Sequence, residues 1–184
     1  MIFMGDSRTD PAIVTWPRTL VAALSTATSP VPWVGLNYGI GGASVATAAA
    51  NIDTVLTMLP DDGTMGRHTA VLMSWGVNYT DNTADETTWT TDYLAIIDKV
   101  HARAPEAKIY LMRPWYQGYD ARAAVLHGWI DNIVAARAFT YVGPDEAVWL
   151  KADDNGAARM VDAKHYNALG NTDCAAEWQT VLGF

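Results

Sequence analysis

Residues 1–10 read MIFMGDSRTD, and the residue types in that stretch set the frame for the rest of the chain. Ile2, Phe3 and Met4 form an unbroken apolar run, the pattern of a strand buried on both faces, and Gly5-Asp6-Ser7 supplies the turn formers that end it. A strand of that kind belongs to a parallel sheet covered by helices. A serine just beyond its end is either the cap of a following helix or a nucleophile, and the decision rests on what else the chain brings to the same place.

Four further apolar runs suit buried strands, at 33–38, 69–75, 107–112 and 139–142, and segments of helical period lie between them. One places Trp89, Tyr93, Ile96, Ile97 and Val100 on a single face, with Thr83-Ala84-Asp85-Glu86 ahead of it as a capping box and Pro105 to end it. Another carries Leu126, Trp129, Ile130, Ile133 and Val134 on one stripe, and shorter helices are expected at 16–27, 44–58 and 167–182. Strands apolar throughout, alternating with helices, predict an α/β chain folded as a three-layer α/β/α sandwich around a five-stranded sheet. The loosest stretches, 60–68, 76–84, 113–120 and 143–161, follow the predicted elements directly. In an open α/β sheet ligands bind beyond the carboxyl ends of the strands, where Ser7, Gly39 to Ser44, Gly76 to Asn78 and Arg113 to Gly118 all fall.

With 184 residues, half of them apolar, the chain suits one domain over residues 1–184 and can bury a core without disulfides or metal. A formal charge of −8, from 12 basic and 20 acidic residues, argues against nucleic acid and anionic membrane as partners and favours neutral or cationic small molecules. The single cysteine, Cys174, excludes an internal disulfide and a cysteine-rich metal cluster, and reads as a buried, inert thiol. No apolar run approaches the ~20 residues of a membrane span. Because the first strand starts at residue 2 with no basic flank or cleavage site before it, no secretory signal is legible; the chain reads as cytoplasmic, as a mature form whose leader has been removed, or as a segment of something longer.

A nucleophilic serine needs a base. The histidines are His68, His101, His127 and His165, and an aspartate stands three residues before two of them, in Asp98-Lys99-Val100-His101 and Asp162-Ala163-Lys164-His165. The first pair lies within an amphipathic helix beside Lys99 and Arg103 and reads as a solvated face. The second lies in a loop before the last helix, where the carboxylate can reach Nδ1 of the imidazole and leave Nε2 free for a serine hydroxyl. The stretch LNYGIGGAS, residues 36–44, is a glycine-rich turn into a helix capped by Ser44. Its dinucleotide-binding reading is poor, since Ser44 stands where the third glycine belongs, whereas the Gly42 amide can donate to an oxyanion. In SWGVNYTDN, residues 74–82, Asn78 is either a turn former or a side-chain donor at that same sheet edge.

Taken in order, Gly5-Asp6-Ser7, Gly42 within Asn37-x-Gly39-x-Gly41-Gly42, Gly76-x-Asn78 and Asp162-x-x-His165-x-Asn167-x-x-Gly170 resemble the sequence blocks of the SGNH hydrolases, or GDSL esterases and lipases, over nearly the whole chain. The resemblance implies a flavodoxin-like fold, Ser7 as nucleophile, His165 as general base and acid, and Asp162 holding the imidazole. It also implies an oxyanion hole built from the Ser7 and Gly42 amides and the Asn78 side chain, with no cofactor or metal. Two positions depart from the family pattern: Arg8 replaces the usual leucine, and Tyr79 replaces the aspartate that follows the block-three asparagine. Asp81 stands two residues beyond as a candidate substitute, and the first strand is shorter than usual. The resemblance implies a carboxylic ester as substrate. The short chain favours a small acyl group, acetyl above all, on an alcohol that is a sugar or a simple one. Arg8, Trp75, Tyr79, Arg113 and Trp115, with Tyr116, Tyr119 and Trp149, are the candidate substrate contacts. The alternative is a weak or inactive glycan-binding module on the same fold.

Overall fold

The computed structural model describes residues 1–27, 32–59, 69–152 and 156–184. Strands β1 (Ile2–Gly5), β2 (Leu36–Gly39), β3 (Ala70–Ser74), β4 (Lys108–Arg113) and β5 (Thr140–Asp145) pair in parallel throughout, in the order β2-β1-β3-β4-β5. The described helices are α1 (Trp16–Ala27), α2 (Val45–Thr57), α3 (Tyr79–Thr83), α4 (Glu86–Arg103), α5 (Asp120–Ala136), α6 (Glu146–Lys151) and α7 (Ala168–Leu182). This is the three-layer α/β/α sandwich with the flavodoxin-like strand order. None of the described helices is long and apolar enough to cross a membrane.

The period of two along a strand divides the core between the faces of the sheet. Ile2, Met4, Val71, Met73, Ile109 and Leu111 pack with the buried faces of α2, α4 and α5, whereas Phe3, Leu72, Tyr110 and Met112 pack with those of α1 and α7. On the second face Trp16 is fully buried, stacks at 5.9 Å on Trp178 and meets Phe3 edge-on at 5.4 Å. Helix α1 is held to α7 by Asn171, whose Oδ1 accepts from the backbone N–H groups of Thr15 (2.8 Å) and Trp16 (3.0 Å), donors that a helix start leaves unpaired.

In register, Gly5 lies opposite Gly39 of β2 and Ser74 of β3, so β1, β2 and β3 end level. With β2 on one side of β1 and β3 on the other, the strand order reverses there, which opens a crevice at the carboxyl edge of the sheet. Glycine is required at position 39 for space: a Cβ would lie 2.3 Å from the Thr9 carbonyl carbon, in the turn after β1.

Several element boundaries differ from the sequence expectation. Strand β2 begins at Leu36, three residues late, because Val34 O accepts from the N-terminal ammonium (2.6 Å) and Trp33 N donates to Ser25 Oγ (2.9 Å). The cap of α4 is Asp85, whose side chain accepts from Thr88 N, while Thr83 closes α3. Helices α3 and α6, of 5 and 6 residues, lie in stretches read as loop; they are too short to display a helical period. The stretch 60–68, with His68, lies outside the described residues.

Candidate active site

Ser7 follows β1 in a turn closed by the N–H groups of Thr9 and Asp10, both donating to Asp6 O at 2.9 and 3.0 Å. Asp6 N still donates to Ser74 O (3.1 Å), so sheet pairing extends to the residue before the serine. Ser7 caps no helix, because α1 starts at Trp16 and its leading donors go to Asn171. Its Oγ lies 3.0 Å from Nε2 of His165, and Nδ1 of that ring lies 2.8 Å from Asp162 Oδ2. Asp162 Oδ1 accepts from the N–H groups of Lys164 (2.7 Å) and His165 (2.8 Å). An ionised carboxylate only accepts, so the proton sits on Nδ1 and the bare Nε2 faces the serine hydroxyl. Burial opposes charge on Asp162, but the bonds from the imidazole and the two backbone N–H groups outweigh it and hold the carboxyl at about 2.

His101 and His127 are otherwise engaged. Asp98 accepts two bonds from Arg137 at 2.8 Å, and His101 stacks on Phe139 with ring centroids 3.5 Å apart. His127 Nε2 lies 2.8 Å from Pro114 O. Cys174 is buried, and burial pushes its thiol well above the ordinary range.

The loops after β2 and β3 meet beside Ser7's turn. Gly42 has φ +79°, a left-handed conformation that favours glycine, and a Cβ there would touch nothing within 4 Å, so its backbone borders open space. Among the described residues neither the Ser7 nor the Gly42 amide donates to an acceptor. The Asn78 side chain spends one Nδ2 hydrogen on Ala43 O (2.8 Å) and keeps the other. That bond and one from Val45 N to Asp81 Oδ1 (2.9 Å) tie the two loops together.

Asp81 is 1% exposed, and its Oδ1 also accepts from Trp89 Nε1 at 3.1 Å. Among the described residues its Oδ2 and the Oδ2 of buried Asp6 have no hydrogen-bond partner. Burial, reinforced by the Asp6 charge, raises Asp81 to about 6 against the pull of Val45 N–H, Trp89 and Arg122. Between about pH 4 and 6 the folded chain therefore holds a proton here that the unfolded chain has released, so stability falls as pH rises through that window. Asp81→Asn keeps the acceptor and removes the charge. It is expected to flatten this slope, leaving the share contributed by Asp6 and Glu146, whose carboxyls burial also raises, and to stabilise the protein by up to about 3 kcal/mol near pH 7.5, with little change near pH 4, as read by thermal unfolding. An unchanged slope would show that Asp81 is not the group responsible.

A profile of the GDSL-like lipase/acylhydrolase family matches residues 3–172. The chain belongs to that family. As a GDSL acylhydrolase it is an ester hydrolase by family, and its fold is shared with solved structures of low sequence identity. Axe2, an acetylxylan esterase from Geobacillus stearothermophilus, is 18% identical with a TM-score of 0.77 over 100% of this chain and 93% of that one. A carbohydrate esterase family 3 structure from Talaromyces cellulolyticus is 18% identical with a TM-score of 0.72, covering 99% and 96%. TesA is 14% identical with a TM-score of 0.77, covering 99% and 97%. Comparison of the sequence with curated proteins gave no match.

Relative to other candidate positions of this GDSL chain, several substrate contacts expected from the sequence need correction. Arg8 and Trp115 are 0% and 1% exposed, and Tyr116 and Trp149 are also buried, so they offer no face to a ligand, whereas Trp75, 4% exposed, lines a small cavity with Gly5 and Ala43. Their aromatic and charged character reads as surface function in a sequence, yet it serves the core and a buried ion pair. Arg113 is engaged by Asp131 and lies 3.6 Å from Asp145. Tyr79 and Tyr119 are 79% and 46% exposed and remain available. Sequence reasoning passed over Glu146 and Tyr166, both buried between the Ser7 and His165 segments. The signal for Glu146 was an acid that, next to Asp145, begins the apolar run Ala147 to Leu150, and such an acid folds inward only if a cation meets it.

Proposed function

We propose that this GDSL acylhydrolase is a serine esterase of small acyl groups, acetyl above all, with Ser7, His165 and Asp162 as its triad. The observation that carries the reading is the hydrogen-bonded chain from Ser7 Oγ through His165, 3.0 and 2.8 Å long at its two links, ending on an ionised aspartate. Ser7 Oγ attacks the ester carbonyl carbon as its proton passes to Nε2, and the imidazolium is stabilised by Asp162. The oxyanion takes the Ser7 and Gly42 amides and the spare Asn78 hydrogen. Collapse returns the proton from Nε2 to the leaving alcohol oxygen and leaves an acyl-serine. Water, deprotonated by the same nitrogen, then releases the acid and restores Ser7.

The small acyl group is supported by a small cavity between the end of β1, Trp75 and helix α2. The cavity, lined also by Gly5 and Ala43, the neighbours of Asp6 and Gly42, holds about 40 Å³, room for a few atoms. The carbohydrate side is supported by fold likeness to acetylxylan and carbohydrate esterases, and by Tyr79 and Tyr119 as exposed rings for stacking. Initial rates on p-nitrophenyl esters from acetyl to octanoyl test the acyl preference. A maximum at acetyl is expected, and a rate rising toward octanoyl would overturn it. Acetate release from acetylated xylo-oligosaccharides against ethyl acetate tests the alcohol side.

Asn78→Ala removes one oxyanion donor along with the tie to Ala43 O. The kcat on p-nitrophenyl acetate is expected to fall by about 10²- to 10³-fold with KM little changed. A kcat within about twofold of the parent would remove Asn78 from the oxyanion hole.

A further inference from the structure

The side chain of Arg8 points away from the crevice, into the protein, where it is 0% exposed. Its backbone is fixed on both sides of the peptide: Arg8 N donates to Asp6 Oδ1 (2.9 Å), and Arg8 O accepts from Trp16 Nε1 (2.6 Å). From that anchored position Nε donates to Lys164 O at 2.5 Å, and Nη1 donates to Trp115 O at 2.6 Å and to Glu146 Oε2. Glu146, also 0% exposed, accepts from Trp115 N on Oε2 (2.7 Å) and from the Tyr166 hydroxyl on Oε1. The guanidinium lies 5.2 Å from the centroid of the Tyr166 ring.

Arg8 follows Ser7 directly, and Lys164 and Tyr166 flank His165. One buried pair thus touches the residue after the nucleophile and the residues on both sides of the base. Stability is a weak reason for such a pair, since burying two charges costs about as much as their attraction returns. Arg8 Nη2 moreover is buried without a hydrogen-bond partner among the described residues, a further cost.

We propose that the Arg8–Glu146 pair is a positioning device for the esterase reaction, holding the His165 segment against the Ser7 turn and so setting the Ser7 Oγ to His165 Nε2 distance. The inference rests on the triad reading given above. It makes Arg8 and Glu146 positioning residues, which act through Ser7 and His165 and do not touch the substrate. A lysine at position 8 cannot replace the guanidinium fork, because one ammonium cannot span Lys164 O, Trp115 O and Glu146 in the planar geometry they define. Glutamine at position 146 can replace the carboxylate. Its oxygen takes Arg8 and Trp115 at the Oε2 place, and its amide donates to a Tyr166 hydroxyl that reverses its own proton.

Arg8→Lys, Glu146→Gln and Tyr166→Phe, assayed for kcat and KM on p-nitrophenyl acetate well below their thermal midpoints, test this. Displacement of a catalytic group by about 1 Å costs about 10²-fold, so Arg8→Lys is expected to lower kcat by about that factor and leave KM within about twofold. Tyr166→Phe, which leaves no unpaired cation behind and tests the same link if Arg8→Lys fails to fold, is expected to lose about tenfold in kcat. Glu146→Gln is expected to stay within about fivefold of the parent, the rescue that a hydrogen-bonded ruler predicts. Folded Arg8→Lys and Tyr166→Phe with parental kcat would overturn the proposal, whatever their loss of stability. A Glu146→Gln defect as deep as that of Arg8→Lys would overturn it too. Should the parent itself show no Ser7-dependent turnover, the triad reading fails first and the pair has no reaction to position.

Discussion

Replacement of Ser7 by alanine is expected to lower kcat on p-nitrophenyl acetate by about 10⁵- to 10⁶-fold, and His165→Ala to lower it as far, because groups that act as one unit are lost together. The physical basis is the 3.0 Å contact between Ser7 Oγ and His165 Nε2. Without the base, a serine hydroxyl is a poor nucleophile at neutral pH; without the hydroxyl, the base can only activate water that nothing positions for attack. The double variant is accordingly expected to match either single one. Additive losses, or a Ser7→Ala variant that retains more than a few per cent of turnover, would mean that the two do not share a step. Removing the hydroxyl leaves the serine's backbone amide in place, so oxyanion donation is not what this substitution tests.

Asp162→Asn carries the second large effect, about 10³- to 10⁴-fold in kcat, and the reason lies in which atoms each oxygen meets. Oδ1 accepts from two backbone N–H groups, those of Lys164 and His165, so the asparagine oxygen is held at that place. Its NH₂ group must then face His165 Nδ1, which lies 2.8 Å from the present Oδ2. A donor opposite Nδ1 forces the imidazole proton onto Nε2, where it points at Ser7 Oγ and cannot receive the serine's proton. The variant should fold normally, since only one acceptor on a surface loop has changed. Its kcat is expected to collapse while binding of an unreactive ester analogue is retained. A loss below about tenfold would show that the ring keeps its tautomer without Asp162.

The sheet was legible in the sequence because parallel strands buried on both faces carry no polar residues to blur them: Ile2-Phe3-Met4 and Val71-Leu72-Met73 announce themselves. Strand β2 was the least clearly bounded, since at the sheet edge it is only partly buried and its apolar run continues into Trp33 and Val34, whose backbone is spent elsewhere. Ser7, Gly42, Asn78, Asp162 and His165 could be nominated from sequence because each follows a strand or precedes a helix at a spacing that the fold brings to one edge. What sequence could not supply was direction. Arg8 and Trp115 sit beside candidate site residues, yet their side chains turn inward, and nothing local marks that choice. It is made by Glu146, 138 residues from Arg8, through a contact that only the folded chain creates. Asp81 is the intermediate case: its position near Asn78 raised it as a substitute for the aspartate that Tyr79 replaces, while its bond to Val45 N depends on α2 lying alongside.

The most direct test of the central claim, that Ser7 is an activated nucleophile in an acyl-transfer site, is labelling of the whole protein with a fluorophosphonate followed by intact mass and peptide mapping. Such a reagent phosphonylates a serine whose proton is being removed by a base and leaves ordinary serines alone. The account predicts one adduct per chain, on the peptide that contains Ser7, absent from Ser7→Ala and strongly slowed in His165→Ala. A native, folded protein that takes up no label, or takes it on another serine, would contradict it.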